Sequence, residues 1–253
     1  MHIDLNADVG ESFGPYSIGH DAALLPLVTS VNVAAGFHGG DPTVLRDTIR
    51  AAKANGVAIG AHPGLPDLVG FGRREMTVTP RQAEDLVLYQ IAAVAGVARS
   101  EGLALQHVKP HGALYNMASR DRPLADAIVR AIAAFDRQLV LMALPNCALF
   151  DAGRDAGLLV AGEGFADRAY EPNGALASRA KEGAVLHDSA AIVSRAVRMV
   201  TDGVVEAIDG SSIAMRIDTI CVHSDTPGAD RIAAALRAGL HAAGITVEAL
   251  GRR

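Results

Sequence analysis

Five side chains able to move protons or hold a cation fall where apolar runs give way to polar, glycine-rich stretches. Asp8 sits in Asn6-Ala7-Asp8-Val9-Gly10-Glu11, His38 in Gly36-Phe37-His38-Gly39-Gly40-Asp41, and His62 in Gly60-Ala61-His62-Pro63-Gly64. His111 follows in Lys109-Pro110-His111-Gly112, and His223 opens His223-Ser224-Asp225. A carboxylate among imidazoles and a lysine suits hydrolysis of an amide-like bond in two ways. In one, Asp8, His62 and His111 hold a divalent metal that polarises a carbonyl and lowers the pKa of a bound water. In the other, Asp8 is general base toward water, a histidine protonates the leaving nitrogen, and Lys109 stabilises the oxyanion. The metal-free scheme also suits a phosphorylated intermediate, with Arg74, Arg168 or Arg179 gripping phosphate or carboxylate through paired hydrogen bonds. Asn6, Glu11, Asn32, His38, Asp41, Glu163, Asp167, His223 and Asp225 complete the candidate substrate-binding set.

The elements that must position these residues alternate between strand and helix. Strands are expected at 1–6, 31–35, 57–61, 105–109, 138–143, 158–161 and 219–223, with helices at 42–54, 80–100, 122–135, 190–200 and 227–243. Asp41-Pro42 and Thr79-Pro80 supply a cap and a first-turn proline for two of the helices, and Asn55-Gly56 stops the first. Residues 204–209 and 212–217 flank Gly210-Ser211 as a hairpin. Such alternation implies right-handed βαβ units and a parallel sheet. With about seven units in 253 residues, one domain spanning 1–253 and closed as a β/α barrel is the expected architecture. All strand C-termini then share one rim, where the active sites of such barrels lie, and the scattered clusters converge. His107 precedes Lys109 by two on a strand and shares its face, yet reads as structural. His2, His20, His187 and His241 lack a strand-end setting and read as surface or packing residues.

Composition narrows the function classes. The net charge is −5 and no basic run exceeds Arg252-Arg253, which disfavours nucleic acid as a partner. Two cysteines, Cys147 and Cys221, make no disulfide framework and fit reduced core thiols. The chain opens directly on a strand and has no apolar run of about 20 residues, so a cytoplasmic protein is expected. Phosphate-loop, dinucleotide, nucleophile-elbow and His-Glu-x-x-His patterns are missing.

Five ordered segments resemble the LamB/YcsF family: 5–11, 32–42, 60–64, 108–115 (Val-Lys-Pro-His-Gly-Ala-Leu-Tyr) and 221–225. The likeness runs from about residue 3 to 245. It implies a distorted barrel of the glycoside hydrolase and deacetylase type, and the A subunit of an ATP-dependent 5-oxoprolinase. That enzyme converts 5-oxo-L-proline to L-glutamate with partner subunits B and C, ATP being the co-substrate of the complex. Two other readings stay open. The Asn6-Ala7-Asp8 segment also resembles YdjC-type metal-dependent carbohydrate deacetylases, and the chain could instead bind substrate while partners do the chemistry.

Overall fold

The computed structural model describes residues 1–178 and 181–251. Seven parallel strands close a barrel: β1 (His2–Val9), β2 (Ser30–Ala34), β3 (Ala58–His62), β4 (His107–Val108), β5 (Val140–Ala143), β6 (Leu159–Phe165) and β9 (Thr219–His223). They pair in that order, and β9 returns to β1 with Asp8 opposite His223. Between β6 and β9 the chain makes an excursion through residues 166–218, which carries the two-stranded antiparallel ribbon of β7 (Val204–Glu206) and β8 (Ser212–Ala214). A short β10 (Thr246–Val247) lies against the start of β1.

Among the described residues the α-helices are α1 (Asp21–Leu24), α2 (Pro42–Ala54), α3 (Pro80–Ser100), α4 (Gly112–Ala118), α5 (Arg122–Phe135), α6 (Ala148–Asp155), α7 (Ser189–Thr201) and α8 (Ala229–Ala242), with a 3-10 turn at Leu25–Leu27. Their starts are chemically marked. Asp41 caps α2, Thr79 and Gln82 form a reciprocal capping box on α3, and Asp121 and Asp188 cap α5 and α7. Buried Leu, Ile, Val and Ala on the inner helix faces meet the outward side chains of the strands, such as Leu5, Ala7, Val31, Val33, Ile59 and Ala61. Burying this apolar surface is the main stabilising contribution.

The barrel interior differs from the usual filling of branched aliphatics. Strand period places Asp4, Asn6 and Asp8 on one face of β1, Ser30 and Asn32 on β2, and Thr219, Cys221 and His223 on β9. These side chains are buried and hydrogen-bonded to one another between neighbouring strands. Gly60 on β3 leaves room for the His107 ring, since a Cβ there would lie 2.2 Å from it. Strands β1 and β6 run further than sequence pattern indicates, so Asp8 and Glu163 stand within strands and not in the loops after them. Conversely β4 is reduced to two residues and β5 begins at Val140.

Candidate active site at the C-terminal rim

At the base of the polar stack, Asp4 accepts hydrogen bonds from Thr29 Oγ1 (2.7 Å), Ser30 Oγ (2.8 Å) and Thr219 Oγ1 (2.5 Å). Burial is the dominant influence and pushes its carboxyl up to about 6, against those donors. A carboxyl whose native pKa exceeds its unfolded value near 4 binds more protons folded than unfolded between the two, so stability falls as pH rises from about 4 through 6. A difference of about 2 pKa units is worth about 3 kcal/mol. Asp4→Asn is therefore expected to flatten the pH dependence by about that amount, read as urea unfolding free energies from pH 4 to 7.5. Parallel curves for variant and wild type would show that folding does not raise the Asp4 pKa.

One layer up, Thr219 Oγ1 accepts from Asn6 Nδ2 at 2.7 Å, and Asn32 Nδ2 donates to Asn6 Oδ1 at 2.7 Å and to Asp8 Oδ1 at 2.8 Å. His107 Nε2 lies 2.8 Å from Asn32 Oδ1. Burial, then the Lys109 charge, depresses the His107 pKa to about 3, so the ring is neutral. Its Nε2–H donates to Asn32 and fixes the amide with its nitrogen toward Asp8.

The top layer is an ion pair. Lys109 Nζ donates to Asp8 Oδ1 at 2.8 Å, lies 2.9 Å from Glu163 Oε1 and 2.9 Å from Cys221 Sγ, and sits over the Phe165 ring. Burial works against the Lys109 charge, but the Asp8 and Glu163 carboxylates overcome it and hold the ammonium well above its ordinary pKa. Burial likewise raises Asp8, yet the neighbouring His62 and Lys109 hold its carboxyl well below the usual range. The Cys221 thiol is pushed well up by burial and stays protonated. Asp8 and Lys109 open, with His62, His111, Phe165, Arg168 and His223, on a cavity of about 660 Å³. Arg73, Glu75, Asn116, Arg120 and residues 173–178 form its walls.

Beside the ion pair stands a group of four buried donors, Glu11, His38, His62 and His111. His62 Nδ1 is 2.7 Å from the Lys109 carbonyl, His111 Nε2 is 2.8 Å from the Phe71 carbonyl, and the two rings meet at 2.9 Å through His62 Nε2 and His111 Nδ1. The loop that supplies the Phe71 carbonyl is bent by two left-handed residues, Phe71 (φ 54°) and Gly72 (φ 63°). A Cβ on Gly72 would lie 2.7 Å from His38 and 2.8 Å from His111, so glycine there admits both rings. Burial dominates the Glu11 carboxyl and raises it well above the ordinary range, and it lowers His38 and His111. A second group, Asp8, Cys221 and His223, also has metal-ligand chemistry, but its carboxylate is already neutralised by Lys109.

The family model described as LamB/YcsF family matches residues 3–253. The chain belongs to the LamB/YcsF family. Among LamB/YcsF relatives, the 5-oxoprolinase A subunit of Chloroflexus aggregans is 54% identical over 98% of both chains, and that of Thermus thermophilus is 51% identical over 98% of this chain and all of the relative. A solved structure described as a lactam utilization protein, also from Thermus thermophilus, superposes with a TM-score of 0.94 at 50% identity, covering 99% of this chain and all of that one. A deacetylase, T48, shares the barrel with a TM-score of 0.50 at 14% identity over 97% of this chain and 86% of its own, a likeness of fold alone.

For this LamB/YcsF chain the rim unites Asp8, His62, Lys109, His111, His38, Glu11, Glu163 and His223, with Asn6 and Asn32 beneath them. Asp167 sits beside His223, its Oδ2 3.2 Å from His223 Nδ1. Arg168 lines the cavity and donates to the Ala177 and Ala184 carbonyls. Two of the expected binding residues have other partners. Asp41 is spent on structure, capping α2 through Thr43 N and Val44 N and accepting from Gly14 N. Arg74 forks onto Asp67 and does not line the cavity. Its neighbour Arg73 does line it and pairs with Asp225 at 2.7 Å. Arg179 falls outside the described residues. His2, His20, His187 and His241 are exposed and do not line the cavity. Arg73, Cys221, Phe165 and Asp4 join the site without having been expected there. Among the described residues no helix is long and apolar enough to cross a membrane.

Proposed function

We propose that the chain is the A subunit of a 5-oxoprolinase and supplies the hydrolytic residues that open the 5-oxo-L-proline ring to L-glutamate. The observation that carries this reading is an ionised Asp8 held 2.8 Å from a charged Lys109 at the floor of a cavity, in a chain half identical to a lactam utilization protein. Water adds across the ring C–N bond: oxygen goes to the carbonyl carbon, and one proton goes to the departing nitrogen. Asp8 accepts the proton from attacking water, Lys109 stabilises the developing oxyanion, and His223 at the rim protonates the nitrogen. As Lys109 turns its hydrogens toward the oxyanion, its hold on Asp8 slackens and the carboxylate becomes a stronger base when the proton must move.

An unstrained lactam is a poor electrophile, so ATP-dependent activation by partner subunits B and C is part of the proposal. The chain has no phosphate loop, and Arg73 and Arg168 at the cavity wall suit the carboxylate or an activated ring. A metal held by the rim histidines would supply Lewis-acid polarisation of the same carbonyl. The carbohydrate deacetylase reading rests on shared fold only. The test is glutamate formation from 5-oxoproline by the chain alone and with its partners, with and without ATP. Product is expected only with partners and ATP together. Equal product from partners lacking this chain, or acetate release from an N-acetylated oligosaccharide without ATP, would overturn it.

A further inference from the structure

The geometry points to a divalent transition-metal centre formed by Glu11 Oε1, His62 Nε2 and His111 Nδ1, with its open side on the cavity. The carbonyl oxygens of Lys109 and Phe71 can only accept, so His62 Nδ1 and His111 Nε2 each carry the hydrogen that meets them. With one hydrogen per ring, the remaining nitrogens turn two lone pairs on each other at 2.9 Å, an arrangement requiring a proton or a cation between them. A shared proton would serve those two nitrogens and Asp8 Oδ2, which lies 3.5 Å from His62 Nε2, but it would leave Glu11 Oε1 unpaired. Glu11 Oε1 lies 3.6 Å from His111 Nδ1 and 3.4 Å from His38 Nε2, is fully buried, and has no hydrogen-bond partner. An unpaired buried carboxylate oxygen is costly, and one cation relieves all three donors at once.

The spacing fits. Two ligands bonded at about 2.1 Å to one ion stand ~3.0–3.4 Å apart, against 2.9 and 3.6 Å here. Two imidazoles and one carboxylate are the donor set of open, three-ligand sites for zinc, cobalt, iron or nickel and not of calcium or magnesium cages. His62 and His111 line the cavity while Glu11 does not, so the ion would be closed from behind and open in front. His38 is assigned a supporting place. It stacks face to face on His111 at 3.7 Å with 3° between planes, so its lone pairs lie in a plane parallel to that of His111, and an ion in the plane of one ring is out of the plane of the other. Asp8 Oδ2 lies 3.5 Å from His62 Nε2, but Asp8 falls outside the group whose ligand atoms all lie within 4.8 Å of one another, and its Oδ1 is held by Lys109 and Asn32.

The centre is testable without 5-oxoproline, ATP or partners, so its failure is separable from failure of the proposed activity. The chelator-treated chain is titrated with Co²⁺, read by calorimetry and by visible absorption. One equivalent should bind with ligand-field bands, and Glu11→Gln and His111→Asn should each weaken binding more than about tenfold. Asp8→Asn and Cys221→Ser should retain it, and each variant's melting curve establishes that it is folded. Absence of saturable binding to the wild-type chain would overturn the assignment. So would loss in Cys221→Ser or Asp8→Asn with Glu11→Gln unchanged, which would place the ion in the Asp8–Cys221–His223 group. If His111→Asn does not fold, the wild-type titration and Glu11→Gln decide alone.

Discussion

Asp8→Asn, assembled with its partner subunits, is expected to lower glutamate turnover by about 10²–10⁴-fold, the usual contribution of a positioned general base. The amide is nearly isosteric. Its oxygen can still accept from Lys109 and Asn32, as Asp8 Oδ1 does at 2.8 Å to each, so the fold should survive. What disappears is the capacity to take a proton from water. The loss should fall on kcat, with KM changed little, because removal of a group acting mainly in the transition state leaves ground-state binding intact. Unchanged kcat with raised KM would instead make this chain a binding subunit whose partners do the chemistry.

Lys109→Met should destabilise the chain by about 3–5 kcal/mol, because it leaves two buried carboxylates facing a thioether. Asp8 and Glu163 both contact the ammonium, at 2.8 and 2.9 Å, with side chains no more than 7% exposed. Urea unfolding near neutral pH measures the cost. The double variant Lys109→Met/Glu163→Gln should recover part of it, since one orphaned charge has gone. Strict additivity of the two substitutions would show that the lysine and glutamate do not interact energetically.

Architecture was legible because strand–helix alternation and helix-start chemistry are local signals. Asp41-Pro42 and Thr79-Pro80 mark helix starts that the structure reproduces to the residue. The same Asp41 shows the limit: its sequence setting suits both a helix cap and a substrate-binding carboxylate, and only the structure shows its oxygens accepting from Thr43 N, Val44 N and Gly14 N. Arg74 and Arg73 are adjacent and chemically alike, and only tertiary contact with Asp67 separates the structural one from the cavity-lining one. Strand ends were set too early in β1 and β6 because polar residues normally signal exit from a sheet. Here polar residues at period two, Asp4-x-Asn6-x-Asp8 and Thr219-x-Cys221-x-His223, face the barrel axis. That alternation was the available signal for Asp4, and it is easily mistaken for a solvent-facing side.

The cavity draws its floor and part of its wall from different kinds of structure. Its reacting groups stand on or directly after barrel strands, whose register is locked on both flanks, whereas residues 173–178 come from the single excursion between β6 and β9. Selection or engineering can therefore reshape what the pocket admits by editing one surface segment, while the chemistry beneath keeps its alignment.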